Sequence, residues 1–182
     1  MNSSSPTLAR FLSATLFVTF SIGSGPAQQI DPRATEISGF RSWRKATSKP
    51  MFMAPGVAKL CRQAPEFAYP NPHVPTYFQV FVNKTGVQAM FARNRKPFPV
   101  GSVIVKEKRR ILPGTERLGP PELYTVMIKR KAGFDSVNGD WEFFVCDGQA
   151  RPVRKASSVK HCQSCHQSRK LDDFTFRDYV RK

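Results

Sequence analysis

The alternation of apolar and polar positions along the chain predicts short strands separated by turns. The clearest runs are Thr76 to Val82, Gly101 to Lys108, Leu123 to Arg130 and Trp141 to Cys146, which are rich in β-branched and aromatic residues. Proline outnumbers glycine by 15 to 11, and 15 phenylalanines are present, which argues against a helical bundle. The sequence therefore predicts a mainly β (α+β) fold with a few short helices.

Short helices are predicted between and after these strands. Asn83 is a candidate N-cap, because its side chain can accept a hydrogen bond from the first turn of a helix through Thr85 to Arg93. The other predicted helices cover residues 40–46, 55–61 and 159–168. The predicted connections cover residues 64–75, 113–121 and 133–139.

The first 27 residues have the pattern of a cleaved export signal. Arg10 precedes the apolar run Phe11 to Phe20, which is too short to span a bilayer, and the small-residue exit Gly25-Pro26-Ala27 follows. We interpret residues 1–27 as a signal peptide and residues 28–182 as one domain. The alternative is an uncleaved membrane anchor.

The chain is strongly basic. Its 182 residues include 29 Lys and Arg against 13 Asp and Glu, a formal net charge of +16. This balance first suggests nucleic-acid binding. Removal of Arg10 with the signal peptide leaves 28 basic and 13 acidic residues, or +15, on a protein exported away from chromosomal DNA and ribosomes. We therefore expect no nucleic-acid partner, and the basic surface indicates an anionic partner or an anionic membrane face.

Residues 162–166 form the motif Cys-Gln-Ser-Cys-His. Two cysteines separated by two residues can each form a thioether with a vinyl group of haem, and the adjoining histidine can ligate the iron. Cys162, Cys165 and His166 are therefore candidate residues for attaching one haem c. Haem c is attached on the exported side of the bacterial membrane, so the motif and the signal peptide agree in predicting a periplasmic protein.

Other interpretations of Cys162 and Cys165 stay open at this point. They could join Cys61 and Cys146 in a structural zinc site, although the latter two are single cysteines far apart in the sequence. They could form a redox-active dithiol, but no βαβ unit surrounds them. A disulfide between cysteines this close is strained. Cys61 and Cys146 are expected either to form a disulfide or to remain buried thiols.

The ligand on the other side of the iron would decide between electron transfer and ligand binding. An electron-transfer cytochrome closes that position with Met or His, whereas an open position admits a small molecule. The residues that could close it are Met51, Met53, Met90, Met127, His73 and His161. None has a spacing tied to the haem motif, and His161 is too close to Cys162 to reach across the ring.

The order of motifs resembles the cytochrome P-460 family. The resemblance is carried by FPVGSVIVKEK at 98–108, ELYTVMIKR at 122–130, GDWEF at 139–143, CQSCH at 162–166 and DFTFRDY at 173–179. It implies an antiparallel β-sheet with a few helices, a haem c near the C-terminus, and a five-coordinate iron held by His166. The opposite face is then open to nitric oxide, hydroxylamine or peroxide. Members of the family are often dimeric, so a homodimer is one expected assembly.

The resemblance also gives Lys106 a role. Members of the P-460 type have a lysine covalently bonded to the haem edge, in a Gly-x-Val-x-Val-Lys-Glu strand, and Lys106 is the matching position. Strand alternation independently places Lys106 on one face with Ser102 and Ile104, so that its stem can lie along apolar surface. The alternative is an ordinary solvated lysine.

Thr125 departs from the pattern of the enzymatic members. Those members have a carboxylate in the strand after the lysine, which accepts a proton from bound hydroxylamine, and a count back from Trp141 places Thr125 there. Threonine cannot act as a general base at neutral pH, and Glu122 would need a shift of register to replace it. Lys106 and Thr125 are thus the candidate catalytic positions. Phe78 is a candidate apolar cap over the open side of the iron, or else a core residue.

Two functions follow from these residues. The first is an exported haem c oxidoreductase that oxidises hydroxylamine or nitric oxide and passes electrons to a partner cytochrome. The second is a non-catalytic nitric oxide binder or electron-transfer protein of the cytochrome c′-β type. Lys106 favours the first function, and Thr125 favours the second.

Overall fold

The computed structural model describes residues 31–54, 76–153 and 159–180. The helices are α1 (Pro32–Glu36), α2 (Lys84–Phe91) and α3 (Val159–Gln167), and single 3-10 turns lie at Phe40–Ser42, Ser136–Asn138 and Lys170–Asp172. The strands are β1 (Arg44–Lys45), β2 (Met51–Met53), β3 (Thr76–Val82), β4 (Val103–Ile111), β5 (Leu118–Lys129) and β6 (Trp141–Asp147). The protein is therefore mainly β, with a few short helices, as the sequence predicts.

One antiparallel sheet contains the six strands of the described residues. Its order is β1-β3-β4-β5-β6, and β2 also pairs with β3. The four long strands form a meander in which each pairs with the next along the chain. The two short strands share the outer edge of β3, β1 at its Val82 end and β2 at its Thr76 end.

Both faces of the sheet are covered, because side chains alternate between two apolar clusters. We call the first the α3 face, since Cys162 of α3 packs against its cluster; its sheet residues include Val80, Val82, Ile104, Met127, Trp141 and Phe143. We call the second the Phe40 face; its members include Phe40, Phe81, Val105, Tyr124, Val126, Phe144 and Cys146. The N-terminal segment therefore covers one face, and the helices α2 and α3 lie on the other.

The segment after α3 is fixed to the α3 face by Arg177. Its guanidinium donates to the carbonyl oxygens of Ala89 and Lys96 at 3.0 Å each, and it lies 4.6 Å from the centroid of the Phe98 ring. Tyr179 packs against the same cluster. These contacts hold the C-terminal segment in place beside α2.

Most predicted elements are confirmed. The strand at Thr76–Val82 is observed with its predicted limits, and the Asn83 side chain caps α2 by accepting from the Gly86 N–H at 3.1 Å. The predicted helix at 55–61, the connection at 64–75 and the proposed signal peptide lie outside the described residues. In the part of the chain that is described, no helix is long and apolar enough to cross a membrane.

Two predictions were wrong. Residues 40–46 form a 3-10 turn and the edge strand β1 rather than a helix, because their backbone is recruited by β3; the Ala46 N–H donates to the Val80 carbonyl at 2.8 Å. The connection predicted to run to Pro121 ends earlier, because β5 begins at Leu118. Its prolines are tolerated where the register with β4 shifts, between Lys108 and Ile111.

Candidate functional site

The three residues of the cysteine motif lie together on α3. Cys162 and His166 are four positions apart and share a helix face, with Cys165 beside them. All three are half-buried, and Cys162 packs against the core of the α3 face. The motif therefore faces the sheet.

Two glutamines fix the rotation of α3 about its axis. They are Gln163, which follows Cys162, and Gln167, which follows His166. Gln163 Nε2 donates to Asp135 Oδ2 at 2.9 Å, and Gln167 Nε2 donates to Asn138 Oδ1 at 3.1 Å. Both acceptors belong to the turn before β6, so this turn holds one side of the helix while the motif occupies the adjacent side.

The His166 imidazole is oriented by a backbone acceptor and two aromatic rings. Its Nδ1 lies 2.6 Å from the carbonyl oxygen of Phe174. The proton shared in this hydrogen bond belongs to Nδ1, so Nε2 keeps its lone pair for a metal. The rings of Phe143 and Phe176 contact the imidazole edge-on, with centroid distances of 5.1 and 5.0 Å.

The imidazole is held in its neutral form. Burial lowers the pKa of His166 to about 4; the Phe174 carbonyl acts to raise this pKa, and the positive charge of Lys106 lowers it further. Iron ligation requires a neutral imidazole, so His166 is ready to bind a metal without first losing a proton.

Lys106 and Thr125 are brought together on the α3 face. They are direct partners in the pairing of β4 with β5, and Val80 lies opposite Lys106 on the other side. Lys106 and Thr125 are both half-buried. The positive charge of Lys106 acts to lower the pKa of His166.

Phe78 lies next to Lys106. The Lys106 Nζ is 4.4 Å from the centroid of the Phe78 ring, in a cation–π contact. The same ring meets Tyr179 edge-on at 5.7 Å, and both residues pack against the edge of the α3-face cluster. Phe78 is half-buried, which agrees with an apolar wall beside the lysine as well as with core packing.

The carboxylates of β4 and β5 are engaged by arginines. Glu107 is 2% exposed on the Phe40 face, where its Oε1 accepts from Arg109 Nε at 2.6 Å. The register of β5 does shift beside Glu122, but the Oε1 of this residue accepts from Arg110 Nε at 2.6 Å. In the described strands β4 and β5, both carboxylates are therefore bound by arginines.

Of the candidates for closing the iron's other side, Met90 and Met127 belong to the cluster of the α3 face. Met53, Met90 and Met127 are buried, Met51 lies on the edge strand β2, and His161 is exposed on α3. His73 lies outside the described residues.

Cys146 lies on the other side of the sheet from the motif. It is fully buried on the Phe40 face and is a free thiol, whereas Cys162 packs on the α3 face. Within the described ranges, no group of three or more His, Cys, Asp or Glu side chains could hold a metal ion. These positions exclude a zinc site shared by Cys146 and the two motif cysteines. Cys61 lies outside the described residues.

Sequence reasoning missed three residues around His166: Phe143, Phe174 and Phe176. The aromatic run after the motif was visible in the sequence, but the role of Phe174 is carried by its backbone carbonyl. Any residue type has a backbone carbonyl, so the sequence cannot indicate that Phe174 is the acceptor. The spacing of aromatic residues after the motif could have indicated the Phe176 ring beside His166.

The site fits a covalently attached haem. Two half-buried thiols and a neutral, oriented imidazole lie within five residues of one helix, and aromatic and apolar side chains border them. These are the groups that thioether attachment and axial ligation need.

A family model matches most of the chain. The family described as Cytochrome P-460 matches residues 38–177 of the chain, which include the sheet, the helix α3 and the Phe174 carbonyl. A search of curated proteins gave no match.

Proposed function

Because the chain belongs to the cytochrome P-460 family of haem proteins, we propose that it is an exported c-type haem protein that binds or oxidises small nitrogen species. In this proposal Cys162 and Cys165 form the two thioether bonds, and His166 is the only side chain of the protein that ligates the iron. The observation that carries the proposal is the neutral His166 imidazole, whose Nδ1 is occupied by the Phe174 carbonyl.

A haem in this site supplies a one-electron redox centre and a coordination position that nitric oxide or hydroxylamine can occupy. The side chains of the chain do the rest. His166 donates its Nε2 lone pair, Phe143 and Phe176 keep water from its ring, and Phe78 with Tyr179 provides an apolar boundary near Lys106.

Lys106 supports the oxidoreductase form of the proposal. By the family resemblance it matches the cross-linking lysine, and its ammonium lies against the Phe78 ring on the face that carries the motif. We propose that Lys106 forms a third covalent bond to the haem, from Nζ to an edge carbon, in which one N–H and one C–H hydrogen are lost to a two-electron oxidant such as a peroxide.

Thr125 supports the nitric oxide-binding form. Oxidation of hydroxylamine needs a base that removes protons from the substrate, and a threonine hydroxyl does not supply one at neutral pH. Glu107 and Glu122 are both engaged by arginines. Ligand binding needs no such base, so reversible capture of nitric oxide is the better supported activity, and hydroxylamine oxidation is the second candidate.

The basic surface supports an acidic redox partner, a second cytochrome in this proposal. Most described arginines pair with a carboxylate, as Arg130 does with Glu36 and Glu142. Among the described residues, no carboxylate pairs with Arg44, Arg93 or Lys96.

These three cations border adjoining grooves that share Phe91 and Ala92 at the end of α2. Unneutralised cations around an apolar floor favour an acidic protein surface. Homodimerisation in the periplasm is part of the same proposal and rests on the family alone.

The proposal is tested on protein exported and matured in a bacterial host. The intact mass should correspond to cleavage after residue 27 plus one haem, and titration with nitric oxide should change the absorption spectrum with one equivalent bound. Steady-state assays with hydroxylamine and an artificial electron acceptor should show little turnover. Absence of covalent haem would refute the proposal, whereas fast hydroxylamine oxidation would reverse the order of the two candidate activities.

A further inference from the structure

Two consecutive residues after α3 have an unusual backbone conformation. Asp173 and Phe174 have φ values of 52° and 57°, in the left-handed region that residues other than glycine rarely adopt. Such conformations persist only where the surrounding structure enforces them, and they concentrate at functional sites. Here they turn the Phe174 carbonyl toward His166 Nδ1.

The Asp173 side chain and backbone are tied to three separate elements. Its Oδ2 accepts from the Phe98 N–H at 2.8 Å, and its Oδ1 accepts from Lys129 Nζ at 2.6 Å. Its carbonyl oxygen accepts from the indole N–H of Trp141 at 2.9 Å. Asp173 therefore connects the loop after α2 with the adjacent ends of β5 and β6.

Phe174 is held from the other side by Gly139. The Lys129 Nζ that binds Asp173 also donates to the Gly139 carbonyl at 2.9 Å. A Cβ at position 139 would lie 2.3 Å from Phe174 Cδ2, so the Phe174 ring occupies the space that only glycine leaves open. Gly139 also has a φ of 66°. Lys129 thus binds both Asp173, where the backbone turns, and Gly139, against which the Phe174 ring packs.

We propose that Asp173, fixed by Lys129, is a positioning residue for the iron: it holds the Phe174 carbonyl where that oxygen accepts from His166 Nδ1–H and so sets the electron donation of Nε2. The inference rests on the proposed role of His166 as the axial ligand. A hydrogen bond at Nδ1 makes the other nitrogen a stronger donor, and a stronger donor stabilises the oxidised iron. Loss of the hydrogen bonds of the Asp173 side chain should therefore favour the reduced iron.

The test compares the reduction potentials of five holoproteins: the wild type, three variants of Asp173 or Lys129, and one control. Asp173→Ala removes both side-chain hydrogen bonds and is expected to shift the ratio of reduced to oxidised protein at fixed potential by roughly tenfold, which is about 59 mV for a one-electron couple. Lys129→Met, which removes only the ammonium, should shift the ratio less in the same direction. Asp173→Asn should shift the ratio only about as much as Lys129→Met, because Asn tolerates positive φ and can still accept from the Phe98 N–H but no longer pairs with the Lys129 ammonium.

Asp147→Ala is the matched control. Asp147 also accepts from a cation and from backbone N–H groups, at Arg151 Nε, Gln149 N and Arg151 N, but it lies at the far end of β6. Its removal should leave the potential unchanged. The iron–imidazole stretching frequency should fall in Asp173→Ala and stay constant in Asp147→Ala.

The proposal is overturned if Asp173→Ala, or Lys129→Met where Asp173→Ala does not fold, keeps both the wild-type potential and the wild-type stretching frequency. A lowered unfolding temperature with unchanged spectroscopy would be the signature of a purely structural role. A wild-type protein without haem would instead refute the function proposed above, which separates the two failures.

Discussion

Lys106 and Thr125 lie directly opposite each other across β4 and β5, on the sheet face against which Cys162 packs. The two positions that we propose to separate an oxidoreductase from a ligand-binding protein are therefore cross-strand neighbours. Each is half-buried, so each can be changed without removing a fully buried core side chain.

Replacing Lys106 tests the covalent bond that we propose. In Lys106→Met the haem should remain attached through Cys162 and Cys165, but the peptide containing position 106 should no longer have the mass of a haem adduct. The absorption bands of the reduced protein should move to those of an ordinary haem c. Lys131→Met, which changes an exposed lysine in the turn after β5, should leave both the adduct and the spectrum as they are. An adduct that survives Lys106→Met would show that another residue forms the bond.

A carboxylate at position 125 should add the missing proton acceptor. Thr125→Glu is expected to raise the rate of hydroxylamine oxidation by roughly 10²-fold, the lower range for general-base catalysis. Thr125→Gln, which has a similar shape and no base, is the control and should stay as slow as wild type. Equal rates in the Glu and Gln variants would mean that proton removal at this position does not limit turnover.

Much of the sheet could be predicted from local pattern. In β3 and β6, apolar residues either alternate with polar residues or form a continuous run, and residues typical of turns flank both strands. Alternation alone predicted that Lys106 and Ile104 share one face of the sheet. The start of β5 could not be predicted, because Pro120 and Pro121 signal a loop and are tolerated only where the register with β4 shifts. Such a shift depends on the partner strand, which local sequence does not contain.

The candidate site was predictable only where its chemistry lies in side chains. The spacing of Cys162, Cys165 and His166 predicts two haem-attaching cysteines and an iron ligand. The acceptor for His166 could not be predicted, because it is a backbone carbonyl turned by two residues with positive φ. The contacts that enforce this turn come from residues 44 and 75 positions away in the sequence, Lys129 and Phe98.

Cys146 should resist modification in the folded protein. Burial raises the pKa of its thiol from 9.0 to about 12, so the reactive thiolate is nearly absent at pH 8. Iodoacetamide at pH 8 should label Cys146 only after denaturation, as measured by peptide mass. Labelling of Cys146 at the same rate in native and denatured protein would contradict its burial.

The same thiol should make stability depend on pH. The folded state holds the proton more tightly than the unfolded state, so the contribution is complete below pH 9 and is lost as the pH rises from about 9 to about 12. In that window the free energy of unfolding should fall by up to about 1.4 kcal/mol per pH unit. Cys146→Ala should show a shallower fall than wild type when unfolding is measured by denaturant titration. Identical slopes would mean that other groups account for the pH dependence.

The cations around the end of α2 should govern association with an acidic redox partner. Arg44, Arg93 and Lys96 are exposed and border the grooves beside Phe91. Replacing all three with Gln should lower the second-order rate of electron transfer to an acidic cytochrome by roughly tenfold at low ionic strength, because steering depends on the local field.

An equal loss of charge elsewhere separates this local effect from the net charge. The matched variant replaces Arg117, Lys131 and Lys170, which are also exposed, with Gln. Stopped-flow measurements should give a rate near that of wild type for the matched variant, and the difference between the two variants should vanish in about 0.5 M salt, where the screening length falls to a few ångströms. A docking face acts through its position on the protein. If both variants slow the reaction equally, the partner responds to the overall charge of the protein, and the surface around Phe91 is not a docking face.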